Sequence, residues 1–195
     1  MNIEQVSALI KSRRSWYAAQ MDETKNIPNE DIWKLLQNAN YAPSHKRTEP
    51  WRFIVFDPTQ LNSFFDKMAE IYLKITMPEN VKADKLKKYK MKAETLSHVI
   101  AICMKRDTAE RIPMEEEEYA VACAVQNMLL SLNSLNIIGY WSTGKLAFAE
   151  ETKTFLKLSD KDKCMGFLQL GVPKKGLPEL PKIQMSGIET KVSWI

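Results

Sequence analysis

Three short stretches carry side chains that could do more than fold the chain: Arg13-Arg14-Ser15, the polar run holding Tyr41 and His45, and Trp141-Ser142-Thr143. Arginine forks match phosphate oxygens bidentately and a serine hydroxyl adds a further bond, so Arg13, Arg14 and Ser15 form a candidate anion clamp. Two cations at a helix C-terminus would also complement the helix dipole, and the residue types alone do not separate the two readings. Tyr41, His45, Lys46 and Arg47 lie in a stretch that starts where one helix ends and finishes as a strand. A loop held between regular elements is where binding residues usually sit, and a solvated basic connection is the plain alternative. Trp141-Ser142-Thr143-Gly144 sets an indole beside a polar turn.

The missing motifs narrow the chemistry. The sequence has no Gly-x-Ser-x-Gly elbow, P-loop or Gly-x-Gly-x-x-Gly, and only two histidines. Cys103, Cys123 and Cys164 are far apart, each in an apolar run, so no metal site is expected and all three read as buried free thiols. No side chain stands out as a catalytic nucleophile. A clamp, a His/Lys/Arg loop and an indole-flanked turn instead suit a phosphorylated, planar cofactor that carries the chemistry itself.

The 195 residues are 45% hydrophobic and 27% charged, an ordinary globular composition, and a single domain over 1–195 is expected. The net charge of +4 is spread along the chain. That suits an anionic small ligand better than nucleic acid, which would want a segregated basic patch. No signal peptide is visible and no apolar run approaches the ~20 residues that span a bilayer, so a soluble, cytoplasmic protein without membrane contact is expected.

Periodicity supplies the elements that position these stretches. Ile3, Val6, Leu9 and Ile10 predict a helix over 2–12, and a second helix runs from Pro28 to before Pro43. Trp51–Phe56 reads as a strand, 59–76 as a helix, and 80–94 as a Lys-rich, solvated helix. Strands are expected at 98–104, 137–141 and 164–172, a short helix around Phe148, Phe155 and Leu158, an irregular proline-rich segment after Lys174, and a terminal strand over 188–195. The helix opened by Glu115–Glu118 is apolar almost all round from Tyr119 to Leu132. It is either the central core helix or packed against a second subunit. The order predicts an α+β layer of four or five strands covered by helices.

Four blocks in order resemble the FMN-dependent nitroreductase family: Ser12-Arg13-Arg14-Ser15, Ala42-Pro43-Ser44 with Glu49-Pro50-Trp51-Arg52-Phe53, Gly139–Gly144, and Gly166–Pro173. The Ala-Pro-x-His-Lys run and the short length resemble its compact bacterial branch. The resemblance implies a nitroreductase-like central sheet in an intertwined homodimer, with two FMN sites at the subunit interface and the segment 188–195 reaching to the partner. It places Arg13, Arg14 and Ser15 at the phosphate and ribityl end. Tyr41 and His45 would reach the flavin from the second subunit, and Trp141, Ser142 and Thr143 would lie along the ring system or ribityl chain. Lys174 or Lys175 would add to the phosphate site. The implied reaction is ping-pong: NAD(P)H gives a hydride to flavin N5 and leaves, then a nitroaromatic, quinone or similar acceptor is reduced. Two readings stand beside it: a flavin-binding sensor or carrier without turnover, and a basic interaction module. The chain departs from the family pattern at Arg47 and Glu49, where Asn and Gln are usual. It also carries Tyr17 where many members have a lysine that supports the reduced flavin, a role Arg47 could take.

Overall fold

The computed structural model describes residues 2–177 and 185–195. Four strands form one antiparallel sheet in the order β1-β2-β4-β3: β1 (Trp51–Phe56), β2 (His98–Met104), β3 (Ile138–Ser142) and β4 (Lys163–Gly171). Successive residues of a strand face opposite sides, and β2, buried along its whole length, divides accordingly. Ile100, Ile102 and Met104 pack with Leu168 and Leu170 on one face. Val99, Ala101 and Cys103 pack with Phe167 on the other.

Each face is covered by helices whose apolar stripes match it. The first carries α2 (Asn29–Ala39), through Ile32, Leu35 and Ala39, and α5 (Met114–Ser131), through Val121, Ala124, Val125 and Met128. The second carries α3 (Leu61–Ile75), α4 (Ala83–Thr95) and α6 (Glu150–Phe155) around an aromatic cluster centred on Phe64. The α+β layer is as expected, with four strands.

A buried ion pair ties the loop after β2 to α5. Arg106 Nη1 lies 2.5 Å from Glu117 Oε2, Arg106 Nη2 donates to Ile112 O at 2.7 Å, and Glu117 Oε1 accepts from the Asp107 N–H at 2.9 Å. One of the four glutamates that open α5 is therefore an internal counter-ion, fully buried.

Three expectations are corrected. The Lys-rich helix is not a fully solvated one: Leu86, Tyr89 and Ala93 seat it on the core, and Lys92, one residue from Ala93, is drawn in with them. Helix α5 is not enclosed on all sides within the chain; it presents Tyr119 and Cys123 outward, so Cys123 is an exposed thiol while Cys103 and Cys164 are buried. Helix α1 (Ile3–Ser12), opened by an Asn2/Gln5 capping box, forms as expected but buries none of its residues, and Ile3 and Ile10 stay exposed. The terminal strand does not form: Ile188–Lys191 is a 3₁₀ turn, and Trp194 and Ile195 project freely. An apolar run becomes a strand only when a sheet edge accepts it, and this one pairs with none. Part of the proline-rich segment, 178–184, lies outside the described residues. Among the described residues, no helix is long and apolar enough to cross a membrane, and no cluster of His, Cys, Asp and Glu could hold a metal ion.

Candidate functional site

The arginine pair divides its duties. After α1 the chain runs along the outer edge of β3, where the Trp16 N–H donates to Gly139 O at 3.1 Å. Arg14 turns back, and its Nη1 donates to Lys11 O at 2.6 Å and to Arg13 O at 2.9 Å, satisfying carbonyls that the end of a helix leaves open. Its Nε is buried without an acceptor. Arg13 is half-buried and has no side-chain acceptor among the described residues, and Ser15 beside it is exposed. The dipole reading therefore describes Arg14, while the clamp reading suits Arg13 and Ser15.

Tyr17, two residues on, lays its ring against Tyr140 of β3, with centroids 4.9 Å apart. From Tyr140 a one-directional chain of donors runs through the sheet. Lys92 Nζ donates to Tyr140 Oη at 2.8 Å, Tyr140 O–H to Gln169 Oε1 at 2.9 Å, Gln169 Nε2 to Ser142 Oγ at 2.8 Å, and Ser142 O–H to Phe167 O at 3.2 Å. Lys92 has no carboxylate partner among the described residues. Burial, with Lys88 and Lys85 nearby, lowers its pKa from 10.5 to about 8. Burial likewise raises Tyr140 to about 12, with Tyr17 adding to the effect. Ser142 is thus tied into the interior rather than left for a ligand.

The folded state holds Lys92 at a lower pKa than the unfolded chain does, so the unfolded state binds more protons between about pH 8 and 10.5, and stability rises with pH across that window. Lys92→Met should remove this rise. The thermal midpoint of the parent minus that of the variant should increase from pH 8 to pH 10.5; a constant difference would mean that Lys92 is solvated.

Trp141 points to the other face of β3. Its Nε1 donates to Met165 O at 3.1 Å, and with Thr143 it lines a cavity of about 710 Å³ floored by Cys164 and Met165 and walled by Met114 and Phe148. Glu118 and Lys163 pair at its margin. Gly166, at φ 127°, leaves room for the indole: a Cβ there would stand 2.6 Å from Trp141 Nε1.

Tyr41 and His45 are elsewhere. Tyr41, two residues past α2, is almost fully exposed and borders an open groove of about 900 Å³ between α2 and β1, with Trp33, Trp51 and Phe53. His45 Nδ1 lies 2.5 Å from Glu116 Oε2 at the surface. The loop they bracket holds three non-glycine residues at positive φ, Lys46 (50°), Arg47 (52°) and Glu49 (44°), a conformation that costs energy and persists only where surroundings impose it. These residues sit beside β1, one edge of the sheet, whereas Arg13 and Ser15 sit beside β3, the other edge. Three inter-strand gaps of ~4.8 Å separate the edges, about 14 Å of backbone. Arg47, on the β1 side, is no neighbour of Tyr17; the cation that reaches the Tyr17–Tyr140 pair is Lys92, 5.5 Å from the Tyr140 centroid. Of the terminal lysines, Lys174 lies 3.6 Å from Glu23, and Lys175 is exposed in a turn.

Sequence reasoning placed Lys92 among solvated lysines, although Leu86, Tyr89 and Ala93 mark the buried stripe that carries it inward. Gln169 and the Arg106–Glu117 pair left no sequence signal, because their partners are distant in the chain.

The family model described as "Nitroreductase family" matches residues 10–172. A Bacillus subtilis (strain 168) protein named "Putative NAD(P)H nitroreductase YfhC" is 26% identical over 174 residues, 89% of this chain and 87% of its own. Among solved structures, the nitroreductase-like family protein from Bacillus cereus superposes with a TM-score of 0.82 at 21% identity, covering 100% of this chain and 98% of the other. A "putative nitroreductase in complex with fmn" from Desulfovibrio desulfuricans superposes at 0.67 and 17% identity, covering 98% and 96%. At these identities the structural likeness shows the fold.

Proposed function

The chain belongs to the nitroreductase family, and from that premise we propose that it is a cytoplasmic, homodimeric FMN-dependent NAD(P)H oxidoreductase. The observation that carries the cofactor assignment is Arg13: a half-buried guanidinium without an acceptor among the described residues, near Ser15, at the edge of the strand whose far end supplies Trp141 and Thr143 to a cavity. A lone unpaired cation held by rigid backbone fits a phosphate, and an indole-walled cavity fits a planar ring. When bound, FMN would accept a hydride from NAD(P)H and deliver it to a nitroaromatic, quinone or similar acceptor. Arg13 and Ser15 would fix the phosphate, and Trp141 and Thr143 would shape the ring's surroundings and exclude water. Lys92, held beside Tyr140, would supply positive potential near Tyr17, where many relatives carry a lysine.

What one chain leaves undone supports the dimer. Tyr41 and His45 stand at the opposite edge of the sheet from Arg13, so they would reach its phosphate end only from a second copy. The apolar residues of α1, the outer face of α5 and the tail 185–195 are uncovered within one chain, which supports the same arrangement. Arg14 and Ser142 then act by holding the scaffold.

An absorption spectrum of purified protein reconstituted with FMN, before and after anaerobic NADH or NADPH, tests the proposal. Flavin bands that bleach are expected. Bound flavin that does not bleach would turn the reading to a sensor or carrier. Failure to take up FMN would overturn it.

A further inference from the structure

Cys103 of β2 and Cys164 of β4 are brought together by a single irregularity. From His98 to Ile102 the two strands pair in strict antiparallel register, ending at Ile102 opposite Gly166. Continued unbroken, that register would set Cys103 against Met165 and Met104 against Cys164. Adjacent residues face opposite sides, so the two thiols would then lie on opposite faces of the sheet. Instead the register shifts after Ile102, Met165 is left as the extra residue of a β-bulge, and Cys103 pairs directly with Cys164. Both thiols then belong to the same buried cluster. Directly opposed residues in an antiparallel pair have Cα atoms about 4.5–5.5 Å apart, within the span a disulfide requires.

The pair is asymmetric. Cys103 is fully buried, while Cys164 forms part of the floor of the Trp141 cavity. Cys103 and Cys164 are direct register partners, and Cys164 Sγ donates to Gly166 O at 3.8 Å. The contact between the two thiols holds Cys164 below its usual range and, with burial, pushes Cys103 up. The more accessible sulfur is therefore the better nucleophile, and the inner one is placed to resolve it.

We propose that Cys103 and Cys164 form a reversible dithiol–disulfide site that small hydroperoxides oxidise through the Trp141 cavity. Cys164 sulfur attacks a peroxide oxygen, the O–O bond breaks, and Cys164 becomes a sulfenic acid as one water leaves. Cys103 sulfur then displaces the hydroxyl group, the S–S bond forms, and a second water leaves. Two thiols are oxidised by two electrons and one hydrogen peroxide is reduced to two waters. The oxidised bridge would lie under the bulge whose Met165 carbonyl accepts from Trp141 Nε1, so its formation bears on the wall of the cavity. None of this depends on flavin.

The test is to treat the folded wild-type protein with stoichiometric hydrogen peroxide, quench, alkylate under denaturing conditions without reductant, and map the peptides by mass spectrometry. The expected result is that alkylation of Cys103 and Cys164 falls in step and a crosslinked 103–164 peptide appears, short of two hydrogens. Dithiothreitol should reverse both changes, and Cys123 should stay alkylated throughout. In Cys103→Ser, Cys164 should stop at sulfenic acid with one equivalent of peroxide and proceed to sulfinic acid with a second, for want of a resolving thiol. Full alkylation of both residues, or irreversible oxidation of Cys164 in the wild type with Cys103 still free, would overturn the proposal.

Discussion

An Arg13→Ala chain is expected to fold as the parent does and to bind FMN about 10- to 150-fold more weakly, the cost of losing a charge-assisted contact of about 1.5–3 kcal/mol. The expectation rests on what Arg13 does not do. Arg14 holds the carbonyls at the end of α1, so its loss would disturb the scaffold. Arg13 makes no such bond among the described residues, and its removal leaves no buried acceptor open. A fluorescence titration of FMN with apoprotein measures the effect directly. Arg13→Lys should recover part of it, because a lysine restores the charge without the bidentate fork. Affinity equal to that of the parent would remove Arg13 from the phosphate site and leave the clamp without its central cation.

The second large effect is structural. Glu117→Ala should lower the thermal midpoint by on the order of 10 °C, since removing one member of a buried ion pair strands the other. The Glu117 carboxylate, fully buried, receives Arg106 Nη1 and the Asp107 N–H. Without it the guanidinium would keep the Ile112 carbonyl as acceptor and, 3.9 Å away, only the exposed Glu110 carboxylate as counter-ion. Glu117→Gln retains the volume and one acceptor and should fall between. The loop 105–113 hangs on this pair and leads into α5, whose Met114 and Glu118 border the Trp141 cavity. A midpoint unchanged in Glu117→Ala, measured by calorimetry, would mean that water reaches the pair and screens it.

How far the sequence reaches can be judged on particular elements. Local pattern determined β2: seven apolar-dominated residues, His98–Met104, buried on both faces, could hardly be anything but an inner strand. It determined α2, with its acidic first turn and its end before Pro43, and it marked Arg13, Ser15, Trp141 and Thr143 by residue type. These features depend on residues within one turn or one strand of each other, so the sequence displays them whole. The tertiary structure alone decided everything that turns on a distant partner. It turned the Arg14 side chain, not that of Arg13, back onto the carbonyls at the end of α1, and it separated Tyr41 and His45 from Arg13 by the width of the sheet. It drew Lys92 inward to Tyr140, made Glu117 an internal counter-ion, and left 188–195 without a strand to join. The bulge at Met165 is the sharpest instance. One unpaired residue decides whether two cysteines, unremarkable in their own stretches, share a face, because the pleat reverses every side chain when the register moves by one.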